Sequence, residues 1–397
     1  MLQPAPHPLP MKFLFFSPHA IADSCSGAAR ALQALFEALQ ELGHRCHILT
    51  GVVTDGKSEL FDKALTTAPT TVFQIKDSDR TVPVRQFRLH GVEHILAGGA
   101  ALSWQEMKAF DDTVLRHMFL DIFRKFDPDV VLTYGGFPCN YFAGQHAMAH
   151  GRKSVLFAAS DTYRVPTDFI HVNTVAAISE ALAVKLRPVT TAPIVALKAL
   201  TKTKDVKSAA RVPEFITFLN PSLPKGVKLA AAIVAECQKR GRPYKFLFVE
   251  SRGTRAEVMH LCPELASCTN LFFAANITNI RAVYERTAIL LYPSLWFETA
   301  GMAPIECNAN GIPVLAHNIG GIPLMMDGAG FLFEPPPAMV EKWDAPPPKD
   351  DVAQWIAIID RLHEDPAFLA DAARRAAEAD ARYDLPKLAR KFVDALA

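Results

Sequence analysis

The sequence predicts an α/β fold made of two consecutive doubly wound, Rossmann-like domains that face each other across a cleft. Two observations lead to this prediction. Short apolar runs, typical of parallel strands buried on both faces, alternate along the chain with amphipathic segments of helical periodicity. The alternation weakens into Thr, Lys and Pro over residues 191–213 and then starts again, which is typical of a linker between domains.

The first elements of the chain show this pattern. Lys12 to Ser17 is a short apolar run that predicts a buried strand, and residues 32–42 carry leucine and phenylalanine at helical spacing. Cys46 to Val53 is the next apolar run. A strand, an amphipathic helix and a strand in this order indicate a right-handed parallel βαβ unit.

The alternation continues through both halves. In the first half, Pro128 ends a helix before a strand at 129–133, another strand covers 154–159, and Ser179 caps a helix after a third strand. In the second half, the runs predict strands at 214–219, 244–249, 271–274, 288–292 and 313–316, and helices at 225–239, 280–286, 301–310 and from Val352 and Pro386.

These elements set the predicted domain boundaries. The N-terminal MLQPAPHPLPMK holds four prolines and lacks the pattern of a signal peptide, so we expect a leader without fixed structure. The last helix is expected to cross back and pack on the first domain. The predicted segments are a disordered leader (1–11), an N-terminal domain (12–190), a linker (191–213), a C-terminal domain (214–375) and a C-terminal helix (376–397).

Charge and composition exclude several classes of function. The chain has 42 Lys and Arg residues against 41 Asp and Glu, a formal net charge of +1, so no nucleic-acid partner is expected. No apolar run reaches the roughly 18–20 residues of a transmembrane segment. The seven cysteines are scattered without a Cys-x-x-Cys pair, which predicts neither a zinc ribbon nor a disulfide framework. We expect a cytoplasmic protein, and peripheral docking at the inner face of a membrane stays open.

Two glutamates in the second half form the most informative motif. Glu298 and Glu306 are separated by seven residues and follow a predicted strand. Glu298 is expected in the loop that leaves this strand, and Glu306 on the next helix. The N-terminus of that helix offers backbone N–H groups and a positive dipole end, which suit an anionic diphosphate. A carboxylate further along the helix can accept two hydrogen bonds from a ribose diol.

The surroundings of these glutamates are similar to a known family. Residues 293–323 resemble the Glu-x7-Glu region of the family 4 retaining glycosyltransferases, nucleotide-sugar enzymes with the GT-B fold. Residues 218–230 resemble the strand-loop-Lys-Gly-helix element of that family, and residues 327–331 resemble the turn and strand that close its donor pocket. The resemblance covers most of residues 172–335 and implies an acceptor-side N-terminal domain and a donor-binding C-terminal domain.

The resemblance implies roles for individual residues. Lys225 is similar to the cation that neutralises the donor diphosphate, Glu298 to the residue that meets the sugar hydroxyls or the reacting face, and Glu306 to the residue that holds the ribose. Backbone amides near sugar and phosphate are implied for Thr299, Ala300, Gly301 and Met302.

Three further positions carry alternatives. The family commonly has an Arg shortly before its lysine, but here that stretch begins with Asn220, so Arg252 or Arg255 supplies the missing cation, or Arg252 is an exposed loop residue. Gly27 resembles the small residue that lets the first helix approach the diphosphate, or it belongs to an ordinary turn. Asp161 lies where relatives have a polar pair near the reaction centre, or it caps its own loop.

The resemblance implies a metal-independent glycosyltransferase of the hexosyltransferase type that transfers sugar from a nucleoside-diphosphate sugar to an acceptor hydroxyl and retains the anomeric configuration. No metal and no further cofactor are expected. The alternatives are a nucleotide-sugar 2-epimerase and an inactive homologue that still binds the sugar nucleotide. The acceptor is open between a glycan, a lipid-linked glycan, a protein and a small molecule, and its loops are expected near residues 55–105 and 134–141. Trp296 and Phe297 are expected in the core.

Overall fold

The computed structural model describes residues 10–23, 26–55, 59–76, 79–276 and 279–396. Most of the predicted leader, residues 1–9, lies outside the described residues. The described chain forms two compact units. Unit 1 runs to Leu200 and resumes at Asp384, and unit 2 comprises Thr201–Tyr383.

Unit 1 is a sheet whose strands follow the order β3-β4-β5-β2-β1-β6-β7-β8-β9. Its inner strands are parallel, as the buried apolar runs predict, and β1 pairs with both β2 and β6. The strand bounds are β1 Lys12–His19, β2 Arg45–Val53, β3 Thr70–Gln74, β4 Thr81–Leu89, β5 Val92–Ala97, β6 Val130–Thr133, β7 Lys153–Ala158, β8 Thr174–Ala177 and β9 Ile194–Ala196.

One edge of this sheet is antiparallel. Strand β4 pairs antiparallel with both β3 and β5, and β5 then joins the parallel part of the sheet beside β2. Acceptor loops were expected near residues 55–105. The structure instead places three strands there, because an edge hairpin with one exposed face carries too few apolar residues to read as a buried run.

The helices of unit 1 cover both faces of the sheet. The helix bounds are α1 Gly27–Glu41, α2 Glu59–Thr67, α3 Ala109–Phe126, α4 Pro138–Ala149, α5 Glu180–Leu186 and α15 Leu385–Asp394, with a 3-10 turn at Pro166–Phe169. Helix α15 packs against α1, and the ring of Phe392 lies 6.1 Å from that of Phe13. The end of the chain therefore crosses back to unit 1.

The segments predicted as the linker and the C-terminal helix differ from the structure. The segment 191–213 supplies strand β9, which pairs with β8 through Ile194 and Val195 in spite of its polar composition. The range 376–397 begins inside a helix that stays with unit 2, because Ala376 and Ala379 are buried there against Ala329.

Unit 2 is an all-parallel sheet with the strand order β12-β11-β10-β13-β14-β15. Its strand bounds are β10 Phe215–Leu219, β11 Lys245–Val249, β12 Leu271–Ala274, β13 Thr287–Tyr292, β14 Val314–His317 and β15 Phe331–Phe333. Its helix bounds are α6 Thr203–Val206, α7 Val227–Lys239, α8 Arg255–Leu261, α9 Ile280–Arg286, α10 Met302–Ala309, α11 Ile322–Met326, α12 Pro337–Glu341, α13 Lys349–Glu364 and α14 Pro366–Ala381, with 3-10 turns at Leu223–Lys225 and Pro263–Ser267.

The strand order of unit 2 places a binding position between β10 and β13. Numbered within the unit, the order is 3-2-1-4-5-6: strands 2 and 3 are added on one side of strand 1, and strands 4 to 6 on its other side. Ligands of such sheets bind outside the carboxyl ends of the strands at this point. Lys225 lies in the connection that leaves β10, and Glu298 lies in the connection that leaves β13.

Two glycines allow the loops at this point to touch. Gly226 has φ +83°, and a Cβ atom there would lie 1.9 Å from the carbonyl oxygen of Pro293. Gly320 has φ +59°, and its Cβ would lie 2.2 Å from the carbonyl oxygen of Glu298. Both positions need glycine for the left-handed backbone and for the close approach. The loops after β10, β13 and β14 are therefore held in direct contact.

We predict that Gly226→Ala destabilises the protein much more than Gly241→Ala. Gly241 lies at the other end of α7 with a similar φ of +65°, but nothing lies within 4 Å of its Cβ position. The control should cost about 1–2 kcal/mol for the left-handed backbone alone. Gly226→Ala should cost about 1–3 kcal/mol more because of the overlap with Pro293. Urea unfolding of both variants measures the difference, and equal losses would contradict the close approach.

Candidate functional site

The centre of the site is an ion pair between the connections that leave β10 and β13. Lys225 ends the 3-10 turn Leu223–Lys225, and its Nζ contacts Oε1 of Glu298. The two side chains are only 17% and 7% exposed. An ion pair that is buried to this extent is only weakly screened by solvent and salt. The sequence motif therefore places a fixed cation and a fixed carboxylate together at the carboxyl edge of the sheet.

Two hydroxyl groups hold the Glu298 carboxylate in place. Ser294 Oγ donates to Glu298 Oε1 over 2.7 Å, and the phenol of Tyr292 also donates to this carboxylate. Burial, and then the neighbouring Glu298 charge, raise the pKa of Tyr292 well above its ordinary value, so the phenol stays a donor. The carboxylate keeps its position through three partners from three places in the chain.

The backbone of the same loops is tied together. The N–H of Leu295 donates to the carbonyl oxygen of Pro224 over 2.9 Å, and the N–H of Gly321 donates to the carbonyl oxygen of Glu298 over 2.6 Å. Because these bonds join different connections, the positions of Lys225 and Glu298 are set by the sheet rather than by a flexible loop.

The side chain of Trp296 differs from its expected place in the core. Its exposed fraction is 39%, and its ring centroid lies 5.1 Å from Nζ of Lys225. The ring of Tyr292 lies 5.8 Å from the same nitrogen. Cations are attracted to aromatic faces at such distances. Both rings therefore attract the ammonium group, and Trp296 gives the site an exposed apolar surface.

Glu306 lies on α10 and is buried rather than open to solvent. Its exposed fraction is 2%. The phenol of Tyr284 donates to Oε2 over 2.6 Å, and Oγ1 of Thr201 donates to Oε1 over 3.5 Å. Glu306 also contributes to the raised pKa of Tyr292, which places both glutamates near the same phenol.

The residues between the two glutamates form the start of α10. Gly301 precedes the helix with φ +89° and ψ +91°, and no side chain caps the first turn. Ala300 is buried, and Thr299, Gly301 and Met302 are half-buried. Gly321 packs behind them, since its Cβ would lie 2.8 Å from the carbonyl oxygen of Thr299. The helix dipole and the backbone N–H groups at such a helix N-terminus favour negative charge.

The loop that carries Arg252 is fixed to the loop that precedes Lys225. Asn220 adopts a left-handed φ of +57°, and its side-chain oxygen accepts a hydrogen bond from the N–H of Gly253 over 2.9 Å. Arg252 itself is exposed beside this contact. Arg255, the other candidate, places its guanidinium 5.4 Å from the ring centroid of Phe273.

The remaining predicted residues lie in unit 1. Gly27 is the exposed first residue of α1, and Oγ of Ser26 accepts a hydrogen bond from the N–H of Ala29. Asp161 follows β7 and pairs with Lys185 over 3.3 Å and with Arg164 over 3.9 Å. The Asp161 carboxylate therefore has two cations as neighbours within its own unit, which is the environment of a residue that fixes a loop.

Two hydroxyl residues beside Glu306 and one histidine beside Ser294 could not be identified from the sequence. Tyr284 and Thr201 contact Glu306 from distant parts of the chain, so no local pattern identifies them. His317 ends β14, and its Nδ1 lies 3.1 Å from the carbonyl oxygen of Ser294. Its Nε2 is buried and has no hydrogen-bond partner among the residues that the structure describes. Burial lowers the pKa of His317 to about 4.

The described parts of the chain contain neither a cluster of metal ligands nor a membrane-spanning helix. Nowhere in them do three or more His, Cys, Asp or Glu side chains come together in a way that can hold a metal ion. In the same residues, no helix combines the length and the apolar character needed to cross a bilayer.

One family model matches part of the chain. Residues 201–344, which lie within unit 2 and include Lys225, Glu298 and Glu306, match the family model described as glycosyl transferases group 1. No curated protein sequence matches the chain significantly.

Several solved structures are similar to the whole chain. A glycosyltransferase from Rickettsia africae is 17% identical, with a TM-score of 0.66 and 98% of each chain covered. Anabaena HepE in complex with UDP-glucose is 15% identical, with a TM-score of 0.66 over 97% of this chain and 99% of that chain. The catalytic domain of starch synthase IV from Arabidopsis thaliana, bound to ADP and acarbose, is 11% identical, with a TM-score of 0.67 over 98% and 99%. These likenesses confirm the predicted fold class of two Rossmann-like domains.

We predict that Lys225 and Glu298 are energetically coupled. Lys225→Met leaves a buried carboxylate without its cation, and Glu298→Gln leaves a half-buried ammonium without its anion, so each change should destabilise the protein. The double variant should lose less than the sum, with a coupling energy of about 0.5–3 kcal/mol. Urea unfolding of the four proteins measures this cycle. Strict additivity would contradict the ion pair.

We predict that His317 makes stability fall as the pH falls. Since burial lowers the pKa of His317 to about 4, the unfolded chain takes up a proton near pH 6.5 while the folded chain does not. Folding is therefore most favourable above about pH 6.5, and about 2 kcal/mol is lost through this group by about pH 5.

His317→Asn tests this prediction because the amide keeps a donor for the Ser294 carbonyl oxygen. Unfolding free energies of both proteins near pH 8 give the loss of packing alone. The variant should then lose about 2 kcal/mol less than the wild type between about pH 8 and pH 5. Parallel pH profiles would show that His317 does not titrate in this way.

Proposed function

We propose that this protein is a retaining glycosyltransferase of the family 4 type, which transfers a sugar from a nucleoside-diphosphate sugar to an acceptor hydroxyl. The observation that carries the proposal is the Lys225–Glu298 pair between β10 and β13, inside the segment that matches glycosyl transferases group 1. Anabaena HepE and starch synthase IV bind nucleoside diphosphates, which supports a donor of this class.

In the proposed reaction, Lys225 stabilises the leaving group. The bond between the anomeric carbon and the diphosphate oxygen breaks, and negative charge develops on the diphosphate. The ammonium group and the N-terminus of α10 are positioned before the reaction, so they stabilise this charge without reorganising. Arg252 is the proposed second cation. With these groups present, the reaction as proposed needs no metal and no further cofactor.

Glu298 is proposed to meet the sugar and its reacting face. Without donor, this carboxylate is paired with Lys225, so an incoming diphosphate competes for the ammonium group and leaves Glu298 free to accept sugar hydroxyls. The acceptor oxygen forms the new bond on the face from which the diphosphate leaves. This attack on the same face retains the anomeric configuration. The proton of the acceptor hydroxyl passes to the departing diphosphate oxygen, which keeps atoms and charge in balance.

Glu306 is proposed to hold the ribose, with the amides of Thr299–Met302 near sugar and phosphate. Tyr284 and Thr201 would then orient this carboxylate toward the nucleotide. In unit 1, Gly27 is proposed to let the start of α1 approach the diphosphate. For Asp161 we propose a role near the reaction centre, although its two cationic neighbours favour the alternative of fixing its loop.

A nucleotide-sugar 2-epimerase and a binding protein without turnover are the alternatives. An epimerase changes the sugar of the donor when no acceptor is present, whereas a transferase releases nucleoside diphosphate as it transfers the sugar. Incubating the protein with a panel of UDP-, ADP- and GDP-sugars, with and without a mixed acceptor pool, separates the three. A changed sugar identifies the epimerase, and tight binding without product in either condition identifies the inactive homologue.

We predict that Lys225→Ala slows release of nucleoside diphosphate from the donor. Loss of one fixed group that stabilises a developing anion costs about 2–4 kcal/mol, or about 30- to 1000-fold in rate. The rate is measured by coupled detection of the released diphosphate under saturating donor. Lys239→Ala is the matched control, because Lys239 is an exposed lysine at the far end of α7. Equal rates for the two variants would remove Lys225 from the mechanism.

We predict that Glu306→Gln weakens binding of the nucleoside diphosphate more than Tyr284→Phe does. Glu306→Gln keeps one oxygen to accept from Tyr284 or Thr201 but not both, and Tyr284→Phe removes the Tyr284 hydrogen bond, so both should lower stability by about 1 kcal/mol or more. The neutral amide of Glu306→Gln accepts fewer hydrogen bonds from a ribose diol than a carboxylate does. The Kd of this variant for the nucleoside diphosphate, measured by calorimetry, should therefore rise at least about tenfold. If neither variant changes the Kd, Glu306 only anchors the fold.

A further inference from the structure

A separate cavity of about 300 Å³ lies in unit 1. It is formed by the carboxyl ends of β1, β2 and β5, the start of β4 and the N-terminal half of α3. The start of β4 lies at the same edge because β4 runs antiparallel to β5. The carboxyl edge is where α/β sheets bind their ligands, and the volume lies at the lower end of the range for small-molecule pockets.

The lining of this cavity is apolar. Thr81 and Asp111 are its polar side chains among the described residues. The Asp111 carboxylate accepts a hydrogen bond from the N–H of Lys108 over 2.9 Å, which fixes it at the start of α3. Its apolar side chains come from strands, a loop and a helix, and include Val52, Val82, Leu102, Met107, Phe110 and Val114.

Two glycines line the cavity, and an exposed tryptophan lies next in sequence to lining residues. A Cβ at Gly98 would lie 2.5 Å from a methyl group of Val52, so a larger residue there would press into the wall. At Gly99 the nearest atom to a Cβ is Cγ of Pro83 at 3.5 Å, and the position is exposed. Trp104 stands between the lining residues Leu102 and Met107 and is 61% exposed. An exposed tryptophan beside an apolar cavity is typical of a binding surface.

We propose that this cavity binds the apolar part of the acceptor, so that the acceptor is a small molecule or conjugate with a ring-sized apolar group beside its hydroxyl. This inference rests on the proposed function. The apolar lining favours a neutral ring or alkyl group and gives an unmodified oligosaccharide few hydrogen-bond partners. The small volume fits a single apolar group rather than a segment of a folded protein.

The test measures binding of α-naphthol to the full-length protein by calorimetry, with glycerol as the polar comparison. Gly99→Leu should take up part of the cavity, because Gly99 lines it and a Cβ can be added there without overlap. Ala149→Leu is the matched control, because it adds the same side chain at an exposed position on α4, away from the cavity. Met107→Lys is a second variant of the lining, used if Gly99→Leu does not fold.

The expected result is that the wild type and Ala149→Leu bind α-naphthol, and that Gly99→Leu and Met107→Lys weaken this binding at least about tenfold. No binding by the wild type, equal binding by all variants, or equal binding of glycerol would overturn the proposal. Binding of UDP, ADP or GDP, measured on the same samples, should be unchanged in all of them. If the wild type binds none of these nucleotides, the proposed function is contradicted. The α-naphthol titrations then still decide whether the cavity binds an apolar group.

Discussion

The ion pair between Lys225 and Glu298 is the interaction on which the proposed chemistry depends. It exists because β10 and β13 are neighbours although five elements separate them in the chain, so the connections that follow them meet at one edge. Gly226 and Gly320 let the backbones touch, and the phenol of Tyr292 and the hydroxyl of Ser294 hold the carboxylate. The sheet therefore fixes both charges before any ligand binds, which is the condition for electrostatic catalysis.

The two units present different chemistry at their carboxyl edges. In unit 2 the edge carries fixed charges, hydroxyl groups and the start of α10, which suit a charged, hydrogen-bonding ligand. In unit 1 the cavity beside β2 and β5 is lined by apolar side chains. A transfer reaction needs one site for the activated sugar and one for the group that receives it. The start of the antiparallel strand β4 forms part of the wall of this cavity.

Much of the fold was predictable because buried parallel strands leave a strong local signal. The runs at Lys12–Ser17 and 288–292 mark strands of the two sheets, and the restart after residue 213 marks the second sheet. The positions of Lys225 and Glu298 after two strands were also predictable. Three features were not, because they depend on distant contacts: the hairpin of β3 and β4, the exposure of Trp296, and the burial of Glu306 under Tyr284. Local patterns report which residues are apolar, but not which distant residues cover them.

The central claim is that Lys225 binds the phosphates of a nucleotide, and a comparison of nucleotide with nucleoside tests it most directly. Calorimetry identifies which of UDP, ADP and GDP binds tightest to the wild type, and the matching nucleoside is then titrated into the wild type and Lys225→Ala. The diphosphate is expected to bind the wild type much more tightly than the nucleoside does. In Lys225→Ala the ratio of the two Kd values should fall at least about tenfold, while the Kd of the nucleoside stays unchanged. An undiminished advantage of the diphosphate in Lys225→Ala would contradict the account.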